Sequence, residues 1–220
     1  RDMPRLSLNG LSLYYIQTGQ GPNVVFVHGL ASSLAFWYSG IVLPLRRHYR
    51  VAGYDLRGHG KSDMPLTGYT HHHMADDLFH LVEHLKLAPF HLVGHSYGGL
   101  ICISFAMSHP ARLRSLTLAD VPIRGLSSNW LSGWSVLLPR LQEAGVCVGR
   151  EEPYPELVIL EELARPQLWR QVREATAQGS YMPYGYGKGS EKTMKRWLRL
   201  LNTTTAREDF RSRERLLHDL

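Results

Sequence analysis

A serine framed by glycines, Gly94-His95-Ser96-Tyr97-Gly98, is where residue types and spacing specify chemistry in this sequence. The run before it, Phe90-His91-Leu92-Val93, reads as a buried strand, and Leu100 to Ala106 after it reads as an apolar helix. A G-x-S-x-G between two such elements is a sharp strand-to-helix turn with the serine at its apex, held ready as a nucleophile. So tight a turn strains the serine backbone. It also leaves no room for side chains at Gly94 and Gly98, which would collide with the neighbouring strand and helix. The Ser96 hydroxyl then stands clear of the sheet at the start of a helix, where developing negative charge is favoured. Glycine and serine are common in loops, and it is the flanking strand and helix that make this motif specific.

Positioning such a turn takes a buried sheet. Leu6-Ser7-Leu8 and Leu11 to Ile16 alternate about Asn9-Gly10, as in a hairpin with a primed turn. Val24-Val25-Phe26-Val27 is an apolar run ending at His28-Gly29, the pattern of a strand covered on both faces. Ala35 to Arg47 predicts a helix, Tyr49 to Tyr54 a strand, and Asp55 to Asp63 a loop. Met74, Leu78, Leu81, Val82 and Leu85 recur at helical spacing, and Leu113 to Ala119 predicts a further strand. Strands alternating with helices imply an α/β fold whose sheet is mostly parallel and doubly wound.

After Pro122 the character changes. Trp130 to Ala144, Pro155 to Ala164, Gln167 to Ala177 and Glu191 to Leu201 all predict helices, with no strand between them. The division expected is a core over 1–121, a helical cap insertion over 122–205, and a return helix to the core over 206–220. A cap of this kind lies over the carboxyl edge of the sheet, where α/β folds bind ligands. Trp130, Trp134, Trp169 and Trp197 suit a small-molecule substrate with an apolar portion, although packing of the cap itself accounts for them equally well.

Composition sets the outer bounds. With 220 residues, 44% of them hydrophobic, the chain can bury a sizeable core as one domain with an insertion. No run of about 18 apolar residues occurs, so no transmembrane helix is expected. The sequence opens on Arg1, and no apolar leader pattern follows it. Cys102 and Cys147 are the only cysteines, which argues against a disulfide framework and fits a reducing, cytoplasmic compartment. The net charge of +6 is spread evenly, with ten Lys/Arg against seven Asp/Glu in residues 1–120 and fifteen against twelve beyond. No one-sided basic patch results, and no nucleic-acid partner is expected. His71-His72-His73 opens a helix; three consecutive histidines point in different directions, so a solvated helix start is expected rather than a metal site. No cofactor is implied.

The order of motifs resembles the α/β-hydrolase superfamily in its capped, esterase-like branch. The resemblance rests on His28-Gly29 after the third strand, Asp55-Leu56-Arg57-Gly58-His59-Gly60-Lys61-Ser62 after the fourth, and Gly94-His95-Ser96-Tyr97-Gly98-Gly99 after the fifth. It implies Ser96 as nucleophile and the backbone N–H groups of Leu30 and Tyr97 as an oxyanion hole. Serine at the turn, rather than aspartate, implies acyl transfer to water through an acyl-enzyme and not epoxide or dehalogenase chemistry. Ester, thioester, lactone or related acyl bonds are the substrates implied.

The sequence departs from the family pattern where the catalytic acid and histidine are expected, after a seventh and an eighth strand. It stops at His218-Asp219-Leu220, before either position. Asp120, ending the sixth strand, is the candidate acid, since some relatives place it there. His28 and His95 flank the turn but belong to motifs in which histidine packs or orients loops. The expectation is an incomplete chain, with its acid and histidine beyond Leu220 and its sixth strand left as an apolar edge. A fold-retaining binding protein without turnover is the alternative.

Overall fold

Alternation along one short strand explains the architecture. In β3 (Asn23–Val27), Val25 and Val27 enter one apolar cluster while Val24 and Phe26 enter another, on the opposite face of the sheet. The computed structural model describes residues 4–8, 10–30 and 32–121. The predicted cap and return helix lie outside the described residues.

The other strands are β1 (Arg5–Leu8), β2 (Leu11–Thr18), β4 (Arg50–Tyr54), β5 (Phe90–His95) and β6 (Leu113–Ala119). They form one sheet in the order β1-β2-β4-β3-β5-β6. β1 pairs antiparallel with β2, Leu8 opposite Leu11, and Gly10 carries the positive φ that the two-residue turn requires. β2 is antiparallel to β4, and the β4-β3-β5-β6 block is parallel throughout. The predicted α/β fold with a mostly parallel sheet is what the chain adopts.

Helices cover both faces. α3 (His71–His84) starts at Thr70, whose Oγ1 accepts from the His73 N–H at 3.1 Å. Its buried face is Met74, Ala75, Leu78, Leu81 and Val82, set at helical spacing. α4 (Tyr97–Ser108) is buried from Tyr97 to Phe105, as a helix apolar on all sides must be. The opposite face is covered by α1 (Ala35–Trp37), a π-helical turn (Tyr38–Val42) and α2 (Leu43–Leu45), through Trp37 and Val42. One uninterrupted helix was expected there. Pro44 has no N–H to give the Gly40 carbonyl, and the Leu43 N–H bonds Tyr38 in the wider register instead.

A second correction concerns the histidine run. His72 and His73 are exposed, but His71 is 1% exposed. Thr70 fixes the helix start so that His71 shares the inner face with Met74 and Leu78. Among the described residues β6 is an edge of the sheet, with Leu116 and Leu118 exposed. No helix among them is long and apolar enough to cross a membrane.

Candidate active site

Ser96 sits between β5 and α4 with φ +52° and ψ −126°, a conformation that L-residues rarely adopt. The surroundings over-determine it. The Ser96 N–H donates to the Ala119 carbonyl at the end of β6 (3.0 Å), and the Ser96 carbonyl accepts from the Gly99 N–H (2.8 Å). A Cβ on Gly94 would stand 2.6 Å from Cys102 Sγ and 2.7 Å from Gly99 Cα, inside α4. A Cβ on Gly98 would press on the carbonyls of Val27 and His28 at the end of β3. Both glycines are therefore required by close approach, one towards the helix and one towards the strand. Cys102 packs as a small apolar residue, and burial pushes its thiol well above the ordinary range.

The His28-Gly29-Leu30 loop lies directly beside the turn, since a Cβ on Gly29 would be 3.1 Å from Ser96 Cβ. His28 is fully buried with both ring nitrogens engaged: Nε2 accepts from the Leu56 N–H (3.1 Å), and Nδ1 lies 2.8 Å from the Gly29 carbonyl. It has no nitrogen left to serve Ser96 as a base. Asp55 holds the same loop from the side, accepting from the Leu34 N–H (2.7 Å) and the Lys61 N–H (2.8 Å). Ser62 Oγ in turn donates to the Asp55 carbonyl and accepts from the Tyr14 N–H. These loop-to-loop bonds were not read from the sequence. A polar residue closing the buried strand β4 ahead of a glycine-rich loop was the available signal.

His95 is half-buried, stacked on Phe36 (ring centroids 4.6 Å apart) and set edge-on to Trp37. Burial lowers its pKa, and the Asp120 carboxylate opposes that shift. Asp120 itself is exposed, just past β6, with φ +49°. The structure thus brings Asp120 into charge range of His95. Among the described residues no histidine nitrogen is hydrogen-bonded to Ser96 Oγ, and no group of side chains is placed to hold a metal ion.

Burial is the largest influence on His28 and lowers its pKa; Asp55 and the Gly29 bond oppose the shift, and His95 adds to it. The folded state therefore takes up a proton less readily than the unfolded chain. The stability contributed by His28 is complete above the ordinary imidazole pKa and is lost as pH falls from there towards the lowered folded value. Thermal melts between about pH 7.5 and pH 5 should show falling stability, with a shallower fall in His28→Asn. An equal slope in the variant would contradict the assignment.

A mostly parallel sheet with helices on both faces, and a serine strained onto a turn at the carboxyl end of a central strand, define a doubly wound α/β protein. Residues 22–144 match the family model described as alpha/beta hydrolase fold, and the chain belongs to that family. It is similar to epoxide hydrolase 2 of Siraitia grosvenorii, 31% identical over 151 residues, covering 64% of this chain and 48% of that protein. It is also similar to 2-(acetamidomethylene)succinate hydrolase of Mesorhizobium japonicum, 33% identical over 116 residues, covering 53% of this chain and 41% of that protein. The chain spans less than half the length of these two curated relatives. An esterase structure from Exiguobacterium antarcticum shares the fold at a TM-score of 0.61 and 23% identity, over 96% of this chain and 73% of that one.

Proposed function

We propose that this chain carries the nucleophile of a serine hydrolase that cleaves an ester, thioester, lactone or related acyl bond through an acyl-enzyme on Ser96. The observation that carries the reading is the Ser96 backbone, φ +52° at the junction of β5 and α4. Strain of that kind persists only where neighbouring structure enforces it, and it marks functional positions. The N–H groups of Leu30 and Tyr97 are the oxyanion donors in this reading. Each such donor is worth roughly 3–4 kcal/mol of the barrier. Asp120 is the candidate acid, supported by its place just past the end of β6 on the Ser96 side of the sheet, where the Ala119 carbonyl accepts the Ser96 N–H.

Several relatives are named epoxide hydrolases, and that chemistry suits a serine poorly. Attack of Ser96 Oγ on an epoxide carbon would leave an ether, with no carbonyl for water to attack, whereas an acyl ester is hydrolysed readily. Phe36, partly exposed and stacked on His95, offers apolar surface beside the turn and suits a small-molecule substrate with an apolar portion, whereas Trp37 is buried in the core behind it. The even charge distribution argues against a nucleic-acid partner.

The lack of a histidine bonded to Ser96 Oγ among the described residues favours one second reading, a binding protein that keeps the fold without turnover. An active-site fluorophosphonate separates the two. Stoichiometric labelling is expected, with the modified peptide containing Ser96. An unlabelled chain, or a label that persists in Ser96→Ala, would overturn the assignment.

A further inference from the structure

We infer that the amino edge of the sheet, where its parallel strands begin, is a docking surface for an anionic membrane and leaves Ser96 turned towards water. The inference stands whether or not Ser96 is acylated. It rests on a sorting of charge that appears only in the fold. Arg46 and Arg47 lie between α2 and β4, Arg50 opens β4, Lys86 lies between α3 and β5, and Arg112 and Arg114 flank the first residue of β6. These six, of nine lysines and arginines among the described residues, all sit where a parallel strand starts. Glu83, in the last turn of α3, is the one described acid among them. The other five described acids, Asp55, Asp63, Asp76, Asp77 and Asp120, lie past β4, in the first two turns of α3 or past β6. Evenness along the chain has become polarity in space.

The strands bring these loops into one row. Asn23 of β3 is opposite Arg50 of β4 and Phe90 of β5, and Phe90 is opposite Leu113 of β6. Hydrogen bonds lock the row. Arg50 Nη2 donates to the Leu85 carbonyl (2.9 Å), Asn23 Nδ2 to the Leu87 carbonyl (2.6 Å) and the Arg50 N–H to the Pro22 carbonyl (3.0 Å). Because α2 and α3 cover opposite faces of the sheet, Arg46 and Arg47 lie to one side of the row and Lys86 to the other. The cations therefore cover an area and not a line. Arg46, Arg47, Lys86 and Arg114 are exposed, and none of them forms an ion pair among the described residues. Arg112 pairs with Glu83, whereas Arg50 bonds a neutral carbonyl that leaves its charge uncancelled.

Like charges gathered in this way repel one another, and an anionic surface relieves the repulsion. Each lysine or arginine close to such a surface strengthens binding about fivefold, and the attraction fades within a Debye length. A lipid leaflet suits the geometry, because its headgroups offer charge across an area and demand no fixed register. Duplex DNA is read by a helix or ribbon laid in a groove, whereas here α2 and α3 merely end at the edge. β5 spans six residues, about 20 Å of extended strand, so Ser96 stands that far from the headgroups and takes its substrate from water.

Vesicle co-sedimentation with the full chain tests the docking. Phosphatidylcholine vesicles with about 30% phosphatidylserine should bind it at low salt, phosphatidylcholine alone should not, and about 0.5 M NaCl should release it. Arg46→Gln/Arg47→Gln/Lys86→Gln should bind about 10²-fold more weakly with its melting temperature little changed. On the wild-type chain, acetic anhydride should acetylate Lys61 equally with and without vesicles, while Lys86 is protected by them. That footprint reads the contact whether or not the variant folds. No binding to the phosphatidylserine vesicles, a variant bound as tightly as wild type, or protection confined to lysines other than Lys86 would overturn the inference. Tighter binding to a duplex oligonucleotide than to the vesicles at equal salt would also overturn it, and assign the surface to nucleic acid.

Discussion

Under the proposed acyl-enzyme mechanism, Ser96→Ala is expected to lower ester turnover by on the order of 10⁴-fold or more, leaving what binding and the two proposed backbone donors supply. The loss is large because the acyl-enzyme cannot form, and every other group then acts on a step that no longer occurs. Ser96→Gly should be as inactive yet more stable than Ser96→Ala. At φ +52° and ψ −126° an alanine keeps the strain and a glycine relieves it. Strain of this kind costs roughly 1–3 kcal/mol, and part of its relief is offset by the extra freedom glycine gives the unfolded chain. A net gain of about 1 kcal/mol in thermal or urea unfolding is the expected difference. Equal stability of the two variants would show that the turn stores no strain. Substantial turnover in either variant would remove Ser96 from the mechanism.

What was legible in the sequence was whatever periodicity and punctuation encode. Four apolar residues ending at His28-Gly29 were enough to predict β3, because a parallel strand covered on both faces needs apolar residues at every position. Gly94, Ser96 and Gly98 revealed the turn, because few residue types fit where β5 meets α4. The π-helical turn at Tyr38–Val42 was not legible, since it depends on which carbonyl Pro44 fails to serve rather than on any apolar period. His71 was misread as solvated because three adjacent histidines look polar as a group, whereas the N-cap at Thr70 turns one of them inwards. The His28–Leu56 and Asp55–Leu34 bonds join loops 28 and 21 residues apart, and a sequence pattern carries no such loop-to-loop register.

Arg57 and Asp77, 20 residues apart, are the most consequential pair of that unreadable kind. Arg57 Nε and Nη2 donate to Asp77 Oδ2 and Oδ1 at 2.7 and 2.6 Å, and the side chains are only 13% and 6% exposed. Burial pulls Arg57 down, but the hydrogen bonds and charge of Asp77 outweigh it and leave Arg57 raised. Burial raises Asp77, with Arg57 opposing. Arg57→Met strands a buried carboxylate, and breaking such a pair from one side costs about 3–5 kcal/mol. For a chain of this size the melting temperature should fall by on the order of 10 °C. The double variant Arg57→Met/Asp77→Leu should recover most of that loss, because apolar residues of similar volume need no partner. A single variant as stable as wild type would show that the pair contributes nothing.

The pH response supplies an independent sign. Without Arg57, burial acts on Asp77 unopposed, so its folded pKa lies further above the unfolded value. The folded state then binds a proton more readily, and Arg57→Met should gain stability as pH falls through that raised value, opposite to the trend set by His28.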